Sequence, residues 1–173
     1  MITTFFMIGE ITIEMCKEFY SWLLDVNYDS SNPEYCNVII NSIGGDLMAS
    51  FSIIDAIKSS RVPVRTIGTA EIKSAAFMIF ISGNKKHRII TKNSVLLCHT
   101  YNWETSGKYH ELVSAQKEID MIHTYMVDII SEATGMSEER ISQYILTKSD
   151  VFISPEEAVL YGLCDRVVES FKL

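Results

Sequence analysis

The stretch Val64–Gly83, VRTIGTAEIKSAAFMIFISG, decides how the rest of the chain is interpreted. Its first part is rich in β-branched residues, which predicts a buried strand. The apolar block Ala75–Ile81 predicts a short buried helix, and the polar cluster Glu71–Ser74 between them predicts a tight turn. Ser74 would then stand at a helix N-terminus, where unpaired backbone N–H groups favour developing negative charge. This makes Ser74 a candidate catalytic residue. It could equally be a simple N-cap, because serine is among the residues favoured there.

Composition limits the class of protein. With 173 residues, the chain is expected to form one domain over its whole length, 1–173. Hydrophobic residues make up 47%, so either the core is large or apolar surface is buried against other subunits. The net charge of −7 argues against nucleic-acid binding. The basic cluster Lys85–Arg88 is explained more simply as a solvated turn.

The cysteines and the lack of a long apolar run predict a soluble cytoplasmic chain with no membrane partner. There is no CxxC pair, and three of the cysteines lie in apolar runs, which favours buried free thiols in a reducing compartment. The longest apolar run, Ala75–Ile81, is too short to span a bilayer, and no signal peptide is evident. The histidines lack metal-ligand spacing, so no metal or other cofactor is expected.

Strands followed by helices recur along the chain, which predicts an α/β class. The predicted strands are Thr3–Ile8, Cys36–Ile40, Val62–Ala70, Arg88–Thr91, Ser94–Cys98, Val151–Ile153 and Cys164–Val168. Apolar residues at steps of three and four predict a helix over Gly107–Thr134, closed by Gly135. This helix is long for a small core, so part of its apolar stripe would meet another subunit, or else it would lie along one sheet face.

Three further features, a glycine pair, a histidine and an aspartate, are candidates for chemistry. Gly44 and Gly45 lie between a predicted strand and helix, where a glycine turn can present N–H groups to an oxyanion, and Asp46 can cap the helix. His99 follows a strand, and Asp150 precedes one. Each has a simpler interpretation: an empty glycine turn, a structural histidine and a solvated loop acid. Neither GxGxxG nor GxxxxGK[ST] occurs, so no nucleotide site is predicted.

Along the chain, a Gly-Gly pair is followed by Ser74, then His99 and then Asp150. This order, with the surrounding residues, resembles the proteolytic subunit of the Clp protease, ClpP. The likeness runs from about Phe5 to Val168. It is strongest at INSIGG (40–45), at the Ser74 turn, at VLLCH (95–99) and at DVFISPEEA (150–158). It implies a ββα spiral fold, shared with the crotonases, with a long handle helix over about Gly107–Thr134.

The resemblance implies a serine endopeptidase. Ser74 would be the nucleophile, His99 the general base and Asp150 its orienting acid, with the N–H groups of Gly45 and Ala75 as the oxyanion hole. A serine hydroxyl needs such a base, and the tetrahedral intermediate needs such donors.

The family also implies an assembly. The chain would form heptameric rings, two of them stacked, that degrade peptides or unfolded proteins delivered by a separate AAA+ ATPase. Here Asn102–Gly107 replaces the glycine-rich strand that pairs the two rings, and Glu71–Lys73 replaces the usual small residues before the serine. Lys73 could lower the pKa of a neighbour or extend to solvent. The chain begins almost at its first strand, so the axial loops that help dock the ATPase are expected to be missing.

Two other functions fit parts of the pattern. A crotonase-type enzyme would use a similar pair of N–H donors to hold a CoA-thioester enolate, and it would not need Ser74, His99 and Asp150 together. A non-catalytic ring subunit would keep the fold with an idle triad.

Overall fold

The fold is a mixed α/β arrangement in a computed structural model that describes residues 3–31, 33–100, 106 and 108–171. The elements in chain order are β1 (Thr4–Ile11), α1 (Ile13–Tyr28), β2 (Cys36–Gly45), α2 (Leu47–Ser59), β3 (Val64–Lys73), α3 (Ala75–Ile81), β4 (Arg88–Thr91), β5 (Val95–Cys98), α4 (Tyr109–Thr134), α5 (Glu138–Tyr144), β6 (Val151–Ile153), α6 (Pro155–Leu160) and β7 (Arg166–Val168). The predicted α/β class is confirmed. None of the helices in the described part of the chain contains an apolar stretch of the length that a bilayer requires.

The sheet is largely parallel and branches at β3. Strands β1, β2, β3, β4 and β7 lie side by side in that order and are parallel. The first half of β3 pairs with β4 through Thr66–Gly68, whereas its second half pairs with β5 through Glu71–Lys73. Ala70, with φ of 52°, lies at the change of neighbour. Strand β6 then pairs antiparallel with β5, so the C-terminal ends of β3 and β5 lie beside the start of β6.

The sequence-based turn over Glu71–Lys73 is therefore wrong, because these residues extend β3. Ile72 is fully buried in the core, and Glu71 and Lys73 project from the other face of the strand. The prediction of a glycine turn between strand and helix is also wrong in part, since Gly44 and Gly45 are the last two residues of β2. The predicted cap is confirmed, because the Asp46 carboxylate accepts a hydrogen bond from the Ala49 N–H at 3.0 Å.

The main core lies between the sheet and the helices. All seven residues of α3 are at most 1% exposed, as expected for a short helix that is apolar on every side. A smaller cluster on the opposite sheet face joins Ile39, Ile67 and Ile89 to Val168 and Phe171. The predicted buried free thiols are confirmed, because Cys16, Cys36, Cys98 and Cys164 are all buried and unpaired.

Helix α4 is only half covered by the rest of the chain. Its buried residues, Ile122, Met126, Val127 and Ile130, all lie in its second half, and Gly135 ends it in the left-handed conformation. In its first half Leu112 and Val113 are exposed. The whole helix is 26 residues, or about 39 Å, long. Its N-terminal half therefore presents apolar side chains outside the core.

Arg88 corrects the expectation of a solvated basic turn. Its side chain is only 5% exposed and makes a bidentate contact with Asp165, at 2.9 Å and 3.2 Å, and it donates to the Ala133 carbonyl at 3.1 Å. Burial alone would raise the pKa of Asp165, but the hydrogen bonds from Arg88 outweigh it and lower that pKa. The pair joins β4 to the segment that leads into β7.

We expect Asp165→Asn to lower the free energy of unfolding by about 2–3 kcal/mol at pH 7, because it leaves a buried guanidinium without its carboxylate. Since the pKa of Asp165 is lower in the folded state, the stabilisation is present above the unfolded-state pKa of about 4 and is lost as pH falls through the folded value. Urea unfolding at pH 7 and in acid measures both effects.

Glu169→Gln is the matched control, because it breaks the exposed pair between Glu169 and Lys92 and should cost under about 0.5 kcal/mol. Equal losses from Asp165→Asn and Glu169→Gln would contradict the structural role given to Arg88.

Candidate active site

Ser74 occupies a strained junction between β3 and α3. Its φ of 53° and ψ of −123° lie in a region that side-chain-bearing residues rarely adopt, at a cost of about 1–3 kcal/mol. The backbone is held on both sides: the Ser74 N–H donates to the Leu97 carbonyl at 2.9 Å, and the Ser74 carbonyl accepts from the Phe77 N–H at 3.0 Å. A sharp strand-to-helix turn of this kind lifts a serine hydroxyl out of the backbone, as in the nucleophile elbow of α/β-hydrolases.

The Ser74 hydroxyl is not an N-cap. It makes no capping hydrogen bond to α3, although serine is a favoured cap residue. Instead, Ser74 Oγ lies 2.9 Å from His99 Nε2. This is the contact that a serine nucleophile and its general base require.

His99 is positioned by β5, whose last residue is Cys98. Strand β5 is fixed between the end of β3 and β6, so the imidazole projects from a braced strand end and remains partly exposed. The neighbouring thiol does not compete as a nucleophile, because burial raises the pKa of Cys98 to about 12.

Asp150 immediately precedes β6. In the antiparallel pairing Leu97 faces Phe152 and Cys98 faces Val151, so extending the register by one residue sets Asp150 beside His99. Asp150 is exposed, and among the described residues no hydrogen bond or ion pair joins it to His99. The structure thus brings Ser74 and His99 into contact and places Asp150 at the adjacent strand end, where its predicted role stays a prediction.

The two glycines at the end of β2 allow close approaches to different elements. Both have positive φ, 99° at Gly44 and 144° at Gly45. A β-carbon on Gly44 would lie 2.7 Å from Ser74 Cβ and 2.8 Å from the Lys73 carbonyl oxygen, whereas one on Gly45 would lie 2.3 Å from the Ile11 carbonyl oxygen. Gly44 is thus the closer neighbour of the serine, a contact that the sequence reasoning missed, although the Gly-Gly pair itself signalled it.

The N–H of Ala75 is the first of α3, where no intrahelical acceptor is available. Gly44 lies within reach of the same atom, since its added β-carbon would be 3.2 Å from Ala75 N. The backbone of the Gly44–Gly45 segment and that of Ala75 therefore adjoin Ser74 from two sides. Their assignment as oxyanion donors stays a prediction.

Lys73 forms an ion pair with Glu71 at 2.5 Å, and its side chain keeps about a quarter of its surface exposed. The sequence-based alternatives for Lys73, lowering the pKa of a neighbour or extending to solvent, did not name Glu71 as its partner.

Comparison with known proteins decides the family. The family model described as Clp protease matches residues 2–171. The chain belongs to the Clp protease family. Members of this serine peptidase family include the ATP-dependent Clp protease proteolytic subunit of Paracoccus denitrificans, 32% identical over 162 residues that cover 94% of this chain and 79% of that protein. The corresponding Deinococcus radiodurans subunit is 31% identical, over 82% of this chain and 69% of its own length.

Solved structures agree with this membership. A point mutant of ClpP1 from Listeria monocytogenes superposes with a TM-score of 0.83 at 29% identity, covering 96% of this chain and 91% of that one. The expected ClpP fold with its long helix is thereby confirmed. The altered ring-pairing strand predicted at Asn102–Gly107 falls, apart from residue 106, outside the described residues.

Proposed function

We propose that this chain is a serine endopeptidase that cleaves peptides and unfolded proteins through an acyl-enzyme. The observation that carries the proposal is the 2.9 Å contact between Ser74 Oγ and His99 Nε2 at a strained strand-to-helix junction. A catalytic serine and its base need this approach, whereas a serine acting as a helix cap would direct its hydroxyl to the backbone.

In the proposed mechanism, His99 accepts the Ser74 hydroxyl proton as Oγ attacks the scissile carbonyl. The resulting oxyanion accepts hydrogen bonds from the N–H groups of Gly45 and Ala75. His99 then gives its proton to the leaving amine, and the C–N bond breaks to leave an ester on Ser74. Water then gives a proton to His99 and attacks the ester carbonyl. The C–Oγ bond breaks, His99 returns the proton to Ser74 and the carboxylic acid is released. The Asp150 side chain turns toward His99 and holds the imidazolium through the ring nitrogen that does not face Ser74.

The catalytic unit in this proposal is a cytoplasmic homo-oligomer of single-domain chains, each folded over residues 1–173. Seven chains form a ring and two rings stack, with an AAA+ unfoldase supplying unfolded substrate. The exposed apolar residues Leu112 and Val113 on α4, and Phe6 and Ile8 on β1, support this because a free monomer would leave them in water.

Incubating the purified chain with β-casein and with a fluorogenic peptide tests the proposal, with products identified by mass spectrometry and the assembly weighed by native mass spectrometry. We expect peptide-bond cleavage by a species of seven or fourteen chains. Hydrolysis of an acyl-CoA thioester without peptide cleavage would instead indicate a crotonase-type enzyme. An intact ring that cleaves neither substrate would indicate a non-catalytic subunit.

A further inference from the structure

A row of four side chains crosses the sheet beside Ser74 and His99. Lys73 on β3 is in register with Leu97 on β5, and Leu97 is in register with Phe152 on β6. On the other side of Lys73 lies Ile43 of β2. The register pairs Ser42 with Ile72, and Ile43 and Lys73 are the next residues on these two strands. Residues in register share a sheet face, so Ile43, Lys73, Leu97 and Phe152 form one continuous strip, here called the flanking row.

The flanking row adjoins the catalytic pair. Lys73 directly precedes Ser74, and Leu97 precedes His99 by two residues on the same face, a separation of about 7 Å along a strand. The row is also joined directly to the serine, since the Ser74 N–H donates to the Leu97 carbonyl at 2.9 Å. It is thus the surface that a substrate side chain next to the scissile bond would meet on this face of the sheet. Lys73 is the charged member of the row.

The composition of the row suits a side chain with an apolar stem and a negative end. Ile43 lies beside the lysine and Phe152 lies beyond Leu97, and each of these two apolar side chains is 62% exposed. The Lys73 ammonium is paired with Glu71, which lies two residues further from Ser74 on the same face. Glu71 is itself partly exposed, so a substrate carboxylate can approach the ammonium from the side of Ser74.

We propose that Lys73 is a specificity-determining residue that favours Asp or Glu next to the scissile bond, and that Glu71 weakens this preference by competing for the ammonium. The inference rests on the proposed peptidase function and names the substrate class for the same site. Because the Lys73 side chain is about a quarter exposed, solvent partly screens its attraction for a substrate carboxylate, and the expected preference for an acidic over a basic residue is about threefold to tenfold.

The test uses peptidyl diphenyl phosphonates that differ only in the side chain next to phosphorus, Glu, Gln or Lys. They trap the serine covalently, so the labelling rate of Ser74 measured by mass spectrometry reports side-chain preference without requiring turnover. We expect the rates to fall in the order Glu, Gln, Lys. In Lys73→Gln the ratio of the Glu rate to the Lys rate should fall to about one or below, and in Glu71→Gln it should rise above the wild-type ratio.

Lys92→Gln is the matched control, because it removes an ammonium that is paired with Glu169 on another part of the chain and should keep the wild-type ratio. The opposite shifts expected from Lys73→Gln and Glu71→Gln also separate recognition from a folding defect, which would move all rates together. A wild-type ratio near one, or an unchanged ratio in both variants, would overturn the inference while leaving the peptidase proposal standing. Absence of labelling by all three phosphonates would overturn both.

Discussion

Ser74→Ala should lower kcat for peptide cleavage by at least about 1,000-fold, because Ser74 carries the hydroxyl that the structure places in hydrogen-bond contact with His99 and that would form the acyl-enzyme. The neighbouring Cys98 is buried, and its pKa of about 12 keeps it protonated. The free energy of unfolding should change by less than about 1 kcal/mol, since the side-chain hydroxyl bonds only to the partly exposed His99 among the described residues.

Steady-state cleavage of the fluorogenic peptide, together with native mass, measures this prediction. Ser114→Ala is the matched control: that serine is exposed on α4, and its hydroxyl donates to the His110 carbonyl of its own helix. It should retain wild-type activity. If Ser74→Ala kept activity near wild type in an unchanged assembly, Ser74 would not be the nucleophile.

Gly44→Ala should lower kcat/KM by about 100-fold or more, although no atom of Gly44 takes part in the chemistry. The added β-carbon would lie 2.7 Å from Ser74 Cβ and 2.8 Å from the backbone oxygen of Lys73, so the serine must move. Displacing a nucleophile by about 1 Å costs about this much in rate. The positive φ of 99° adds a conformational cost of about 1–2 kcal/mol to folding.

Gly135→Ala separates the steric effect from the conformational one. Gly135 also has a positive φ, 77°, but a β-carbon there meets nothing within 4 Å. It should therefore lose about 1 kcal/mol of stability and keep its activity. Unfolding titrations and peptide assays on both variants measure the difference. Wild-type kcat/KM in a folded Gly44→Ala variant would contradict the placement of β2 against Ser74.

The parts of the fold that local sequence determines could be predicted from it. Helix α3 is predicted because its seven residues are all apolar, and it is buried as expected. The stretch SPEE (154–157) has the pattern typical of a capping box, and helix α6 begins there: Ser154 caps it, Pro155 is its first residue and Glu157 bonds back to Ser154. Both signals lie within a few residues of the element that they define.

The wrong predictions concern residues whose surroundings are determined by a distant part of the chain. Glu71–Lys73 was predicted as a turn because it is polar, but β5, more than twenty residues later, pairs with it and keeps it extended. The basic cluster Lys85–Arg88 predicts a solvated turn, whereas Arg88 begins β4, as its predicted strand does, and its partner Asp165 lies 77 residues further along the chain. Composition within a short window carries no information about such partners.

The candidate site likewise has a part that could be predicted from the sequence and a part that depends on the packing of distant strands. The resemblance selected Ser74, His99 and Asp150 by their order and surroundings, and the structure places the first two in hydrogen-bond contact. The strained φ at Ser74 and the close approach of Gly44 depend on how β2, β3 and β5 pack together. Neither could be obtained from residue types alone.

The most direct test of the central claim is the rate at which a fluorophosphonate labels Ser74 in the wild type and in His99→Gln. We expect one adduct per chain, mapped to Ser74 by peptide mass spectrometry, and a rate at least about 100-fold lower in His99→Gln because the hydroxyl has lost its base. An adduct on another residue, no adduct, or equal rates in the two proteins would contradict the assignment of Ser74 and His99 as nucleophile and base.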